Sequence, residues 1–158
     1  MRVLTPPEPP ASPAAVQHLS AQWSALATRP DSAPLGPRRV LIVEDNPLGR
    51  DALRFLLERQ GHQVDVAANG PEALRVGVSR PPDVAVIDLC LPVWDGFRVA
   101  SGLRAAVGSG ITLIAYTADD EHAKRAEAKA AGFDAYLVKP TDLSNLLAWF
   151  DPDPSPGG

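Results

Sequence analysis

Arg39-Val40-Leu41-Ile42-Val43-Glu44-Asp45 is the stretch that decides the fold: a short apolar run that ends abruptly on two carboxylates. Three later stretches repeat the pattern. Val84-Ala85-Val86-Ile87 runs into Asp88, Ile111-Thr112-Leu113-Ile114-Ala115-Tyr116 into Thr117, and Ala135-Tyr136-Leu137-Val138 into Lys139-Pro140. Runs 39–43, 84–87 and 113–116 show no polar alternation. That marks strands buried on both faces, as in a parallel sheet covered by helices. If the four runs are parallel neighbours, two or three carboxylates, a hydroxyl and an ammonium converge at one edge of one sheet.

Between these runs lie helical patterns. The spacing predicts strands near 39–44, 62–67, 83–88, 111–116 and 134–138, and helices near 47–60, 71–79, 96–107, 120–131 and 141–150. Gly61 and Gly132 follow the first and fourth helices, where a left-handed cap favours glycine. Asn69-Gly70-Pro71 and Lys139-Pro140-Thr141 mark turns into the next helix. Five βα units over residues 38–150 make a doubly wound α/β domain with a five-stranded parallel sheet. Ligands of such sheets bind beyond the carboxyl ends of the strands, which is where the polar residues fall.

The chain has 158 residues and a formal net charge of −4. Its basic residues are scattered, so no nucleic-acid-binding stripe is expected. One cysteine, Cys90, excludes an internal disulfide and suits a reducing compartment. No apolar run reaches membrane-spanning length, and the start lacks a signal peptide's apolar stretch. These features predict a soluble, cytoplasmic protein with no membrane partner. Residues 1–37 read as a separate proline-rich extension, disordered over the first ten residues. Within it, Ser12-Pro13 reads as a helix start. Val16, Leu19, Trp23 and Leu26 then form an apolar stripe, predicting a short amphipathic helix over 13–27. Such a helix is marginal alone and wants a partner surface. Residues 151–158 read as a disordered tail, leaving no room for a fused effector domain.

The polar strand ends suit phosphoryl transfer. Asp88 is a candidate nucleophile, since a carboxylate can form an acyl phosphate. Glu44 and Asp45 offer hard oxygen ligands. Asp45, Asp88 and one backbone carbonyl of the following loop would meet the needs of Mg²⁺. Thr117 can donate to a phosphoryl oxygen, and Lys139 supplies a compact positive charge. Taken singly, each has a blander reading: Asp or Thr after a strand is often a helix cap, and a lysine there is usually solvated.

Together, Val43-Glu44-Asp45-Asn46, Asp88-Leu89-Cys90-Leu91-Pro92-Val93-Trp94-Asp95-Gly96, Tyr116-Thr117-Ala118 and Lys139-Pro140 resemble the receiver domain of two-component response regulators, over about residues 38–150. The resemblance implies the CheY-like, flavodoxin-like strand order 2-1-3-4-5. It implies phosphorylation of Asp88 by a histidine kinase or phosphotransfer protein, with Thr117 and Lys139 assisting. It makes Asp45, Asp88 and the Cys90 carbonyl ligands of Mg²⁺ (or Mn²⁺), with Glu44 in a supporting place, and implies no organic cofactor. Thr117 and Tyr136 become the switch pair, Tyr136 turning inward on activation and reshaping the surface of the fourth helix, fifth strand and fifth helix. Receivers of this kind catalyse only their own phosphorylation and dephosphorylation. Family members commonly have the bond before the proline cis; the sequence alone leaves the Lys139–Pro140 isomer open.

The expectation is a single-domain response regulator whose output is protein–protein contact. Alternatives are a receiver of a hybrid histidine kinase system and a binding-only pseudo-receiver. A haloacid-dehalogenase-like phosphatase would need a second aspartate where Cys90 stands. A flavodoxin-like cofactor site would be repelled by Glu44-Asp45. A homodimer through residues 13–27, or through the face of the fourth and fifth helices, is a further expectation. Trp94 reads either as flanking the site entrance or as a loop aromatic. Asp119 reads either as tuning acyl-phosphate hydrolysis or as a cap.

Overall fold

A computed structural model describes residues 36–140 and 142–150. The expected 13–27 helix and 151–158 tail lie outside the described residues. The elements run β1 (Arg39–Val43), α1 (Pro47–Arg59), β2 (Gln63–Ala67), α2 (Gly70–Ser79), β3 (Val84–Ile87), α3 (Gly96–Val107), β4 (Thr112–Thr117), α4 (His122–Ala130), β5 (Ala135–Val138) and α5 (Leu143–Ala148). All five strands are parallel, in the order β2-β1-β3-β4-β5. Both the fold class and the strand order agree with the sequence reading. The main difference is α5, expected over 141–150 and observed over six residues.

Local chemistry explains the helix starts. Asn46 accepts a hydrogen bond from Leu48 N through its side chain, with proline in the first turn of α1. At α2, Asn69 Oδ1 accepts from Glu72 N at 2.9 Å while Glu72 Oε2 accepts from Ala68 N at 3.2 Å. This reciprocal pair satisfies two backbone donors near the helix start. Asp95 Oδ1 accepts from Arg98 N at the head of α3. Gly61 (φ +94°) and Gly132 (φ +97°) take the left-handed conformation expected after α1 and α4.

The sheet is buried on both faces. Leu41, Val43, Ala85, Ile87 and Leu113 face a core closed by α2 and α3 residues such as Ala73, Val99 and Leu103. Val40, Ile42, Val84, Val86 and Ile114 face the other, closed by Leu53 and Leu57 of α1 and Leu146 of α5. No described helix is long and apolar enough to cross a membrane.

Register places the polar ends. Val43 pairs with Ile87, so Glu44 and Asp88 leave adjacent strands at the same level. Ile87 pairs with Ala115, which puts Thr117 one residue beyond that level. Thr117 pairs with Val138, and Lys139 follows.

Candidate functional site: an acidic cluster bridged by a lysine

The β1, β3 and β5 ends meet at one cluster. Carboxylate oxygens of Glu44, Asp45 and Asp88 all lie within 4.8 Å of one another. Lys139 Nζ bridges two of them, 2.6 Å from Glu44 Oε2 and 3.1 Å from Asp88 Oδ2. Glu44 and Asp88 are buried, whereas Asp45 is exposed at the rim. The second Asp88 oxygen accepts from Cys90 N at 3.0 Å. Glu44 is held on both sides. Its Oε1 accepts from Asn46 N at 3.4 Å, and its carbonyl accepts from an Arg50 guanidinium N–H at 3.1 Å.

The charges do not cancel. Burial, reinforced by neighbouring Asp88, pushes the Glu44 carboxyl up to about 7, although Lys139 pulls the other way. Burial disfavours the Lys139 ammonium, but Glu44 and Asp88 outweigh it and hold its pKa above the ordinary lysine value. The cluster thus has three carboxylates against one ammonium. Hard oxygen donors at this spacing fit a divalent cation, which commonly takes one or two carboxylates and keeps several waters.

Thr117 ends β4, fully buried, and its Oγ1 accepts from Asp119 N at 3.4 Å. Tyr136 is also fully buried, and its hydroxyl donates to the Asp119 carbonyl. The expected switch pair therefore shares one residue, Asp119, in the β4–α4 loop. Asp119 itself caps the turn into α4, accepting from Glu121 N at 3.0 Å. The Arg125 guanidinium lies 4.8 Å from the Tyr136 ring and is ion-paired to Asp120. Burial raises the Tyr136 pKa, keeping the hydroxyl a donor. The Lys139–Pro140 bond is cis.

The loop after Asp88 is tightly built. A Cβ on Gly96 would stand 2.5 Å from the Asp88 carbonyl oxygen and 2.7 Å from Leu89 Cα, so only glycine fits there. Val93 sits at φ +71°, 80% exposed, a strained place for a β-branched residue. Trp94 does not stand free in the loop. It packs against Gly70 at the start of α2 with the Arg98 guanidinium 4.0 Å over its ring.

Sequence reasoning placed Glu44, Asp45, Asp88 and Lys139 together, and the structure gathers them. It put Cys90 in the site through its carbonyl; the hydrogen bond observed runs from its N–H. Asp two residues before an N–H often makes such a local bond, so that contact was detectable. The clamp of Arg125 on Tyr136 was not anticipated, because it depends on how α4 lies over β5.

Residues 40–151 match the family described as the response regulator receiver domain. The chain belongs to the response regulator receiver domain family. It is 38% identical over 112 residues to the response regulator MprA of Mycolicibacterium vanbaalenii, covering 71% of this chain and 48% of that protein. The chain spans about half the length of the curated relatives it matches. Among solved structures it is similar to the chemotaxis protein CheY4 of Vibrio cholerae, at 30% identity and TM-score 0.66, over 71% of this chain and 94% of that one. It is also similar to the receiver domain of the sensor histidine kinase PA1611 of Pseudomonas aeruginosa, which holds a magnesium ion in its active-site cleft. That match has 29% identity and TM-score 0.62, over 73% of this chain and 98% of that one. The domain is a receiver of two-component signalling.

Proposed function

We propose that this receiver is a Mg²⁺-dependent phosphoacceptor that takes a phosphoryl group on Asp88 from a histidine kinase or phosphotransfer protein. The observation that carries this reading is the Asp88 carboxylate, held by Cys90 N–H on one oxygen and Lys139 Nζ on the other, beside Glu44 and Asp45. An Asp88 oxygen attacks phosphorus, the P–N bond of the donor phosphohistidine breaks, and the imidazole leaves. Such transfers demand mainly positioning and neutralisation of the phosphoryl oxygens. Lys139 meets one of those oxygens and Thr117 another.

Asp45, Asp88 and the Cys90 carbonyl would hold Mg²⁺ (Mn²⁺ being an equivalent), with Glu44 supporting. Bound there, the ion would neutralise phosphoryl charge and offset the excess of carboxylates. The magnesium-bearing cleft of the similar PA1611 receiver supports this assignment. On phosphorylation, Thr117 turns from Asp119 N towards the phosphoryl group. Because Tyr136 bonds to the same Asp119, that turn is felt at the surface of α4, β5 and α5. Output then passes by protein–protein contact from a cytoplasmic receiver that catalyses only its own phosphorylation and dephosphorylation. A receiver working within a hybrid kinase system is the second reading, favoured by the likeness to the PA1611 domain.

Asp88→Asn tests the assignment. With acetyl phosphate and Mg²⁺, the parent chain should gain 80 Da by mass spectrometry and the variant nothing. Labelling of the variant at another residue would refute the reading.

A further inference from the structure

Beside the acidic cluster, between α1 and α5, lies a cavity of about 260 Å³. Its floor is the sheet, at Ile42, Val86 and Tyr116, and its walls are Leu53 and Leu56 of α1 and Leu143 of α5. Ala52 and Gly49 are exposed at its margin, and Glu44, Asp88 and Lys139 bound one end. Leu143, the first residue of α5, and Pro140 before it line the cleft on that side. An apolar recess next to a charged site, with nothing over it among the described residues, invites an apolar occupant.

The chain carries one that fits. Val16, Leu19, Trp23 and Leu26 recur at helical spacing in a segment, 13–27, that has no Asp, Glu, Lys or Arg. An uncharged amphipathic segment suits a cleft whose middle is apolar. It cannot bury its stripe alone. Reach permits the match. Residues 28–35, extended at roughly 3.3 Å each, span about 26 Å. Climbing from residue 36 along β1 to the level of Ile42 takes about 20 Å.

We propose that residues 13–27 dock as a helix in the α1/α5 cleft of their own domain, with Trp23 as the anchor between Leu56 and Leu143. The docked segment covers one flank of the Glu44–Asp88–Lys139 cluster. The extension thereby becomes part of the domain's α1/α5 face. The inference does not depend on Asp88 accepting a phosphoryl group.

The test uses the full chain, isotopically labelled for NMR. Trp23→Ala should shift the signals of Leu53, Leu56 and Leu143 and leave α2 and α3 unchanged. Ala52→Phe, at an exposed position on the cleft margin, should displace the segment and move the Trp23 indole resonance to its solvent-exposed value. Transfer of magnetisation between Trp23 and Leu56 should occur within one molecule. Unchanged cleft signals in Trp23→Ala, or shifts on another face, would overturn the proposal. So would contacts seen only between differently labelled molecules, which would make the occupant a second copy.

Discussion

The two edges of this sheet treat their polar groups in opposite ways. At the amino edge several side chains are matched to backbone partners. Arg38 N donates to His62 Nδ1 at 3.1 Å, and His62 Nε2 meets the Phe150 carbonyl at 3.1 Å. The Arg38 guanidinium donates to the Trp149 carbonyl at 2.8 Å. Asp83 and Asp134 accept from Arg39 N and Leu113 N, lengthening the strand ladders. At the carboxyl edge, three carboxylates crowd one ammonium. The first arrangement ties Trp149 and Phe150 to the sheet through neutral backbone groups. The second keeps an excess of negative charge that a divalent cation would offset. Unbalanced charge, more than burial or polarity as such, separates a working site from a structural one.

Perturbations of the two edges should therefore differ in size and sign. Gly96→Ala forces a Cβ against the Asp88 and Leu89 backbone and should destabilise the domain by about 3 kcal/mol. Urea denaturation measures this, and a loss under 1 kcal/mol would mean the loop yields easily. His62→Ala leaves Arg38 N–H and the Phe150 carbonyl without their partner, costing about 2 kcal/mol. Phosphoryl acceptance by the folded variant should match the parent, and a large loss would break the division between edges.

Asp88→Asn works in the other direction. Without divalent ions it should raise stability by about 1 kcal/mol through relief of like charge, seen as a higher melting temperature. Mg²⁺ should narrow the gap by stabilising the parent more. Val93→Gly relieves a left-handed β-branched residue and should add about 1 kcal/mol, read from the same melts. The smallest effect is that of pH at the amino edge. Burial holds the His62 pKa below its ordinary value. Its Nδ1 already accepts from Arg38 N, so a second ring proton has no acceptor there. A depressed histidine contributes stability that is full above the unfolded pKa of about 6.5 and declines as pH falls below it. Comparing parent and His62→Gln between pH 5 and 7 checks this; parallel curves would exclude His62 as the source.

The architecture was legible because burial writes itself into local composition. Unalternated runs marked β1, β3 and β4 as doubly covered, and Gly61 and Gly132 marked helix ends. The site was legible for the same reason: register carries residues that follow paired strands to one level. What stayed hidden depends on loop shape. Nothing in the sequence aims the Arg104 guanidinium at the carbonyls of Ser109, Ile111 and Gly132, or lays Trp94 on Gly70. The short span of α5 was likewise not visible, since Leu143, Leu146 and Trp149 carry an apolar pattern past the end of the observed helix.

The bond from Lys139 to Glu44 joins residues 95 apart in sequence. Closing so long a loop carries an entropic cost that only the assembled sheet offsets. A chain emerging from the ribosome thus holds Glu44, Asp45 and Asp88 well before it holds their counter-charge. Until β5 inserts, the carboxylates stand without the ammonium that steadies Asp88. The counter-charge of the cluster therefore arrives with the fifth strand, and a fragment ending before Lys139 leaves the three carboxylates without it however much of the sheet it has formed.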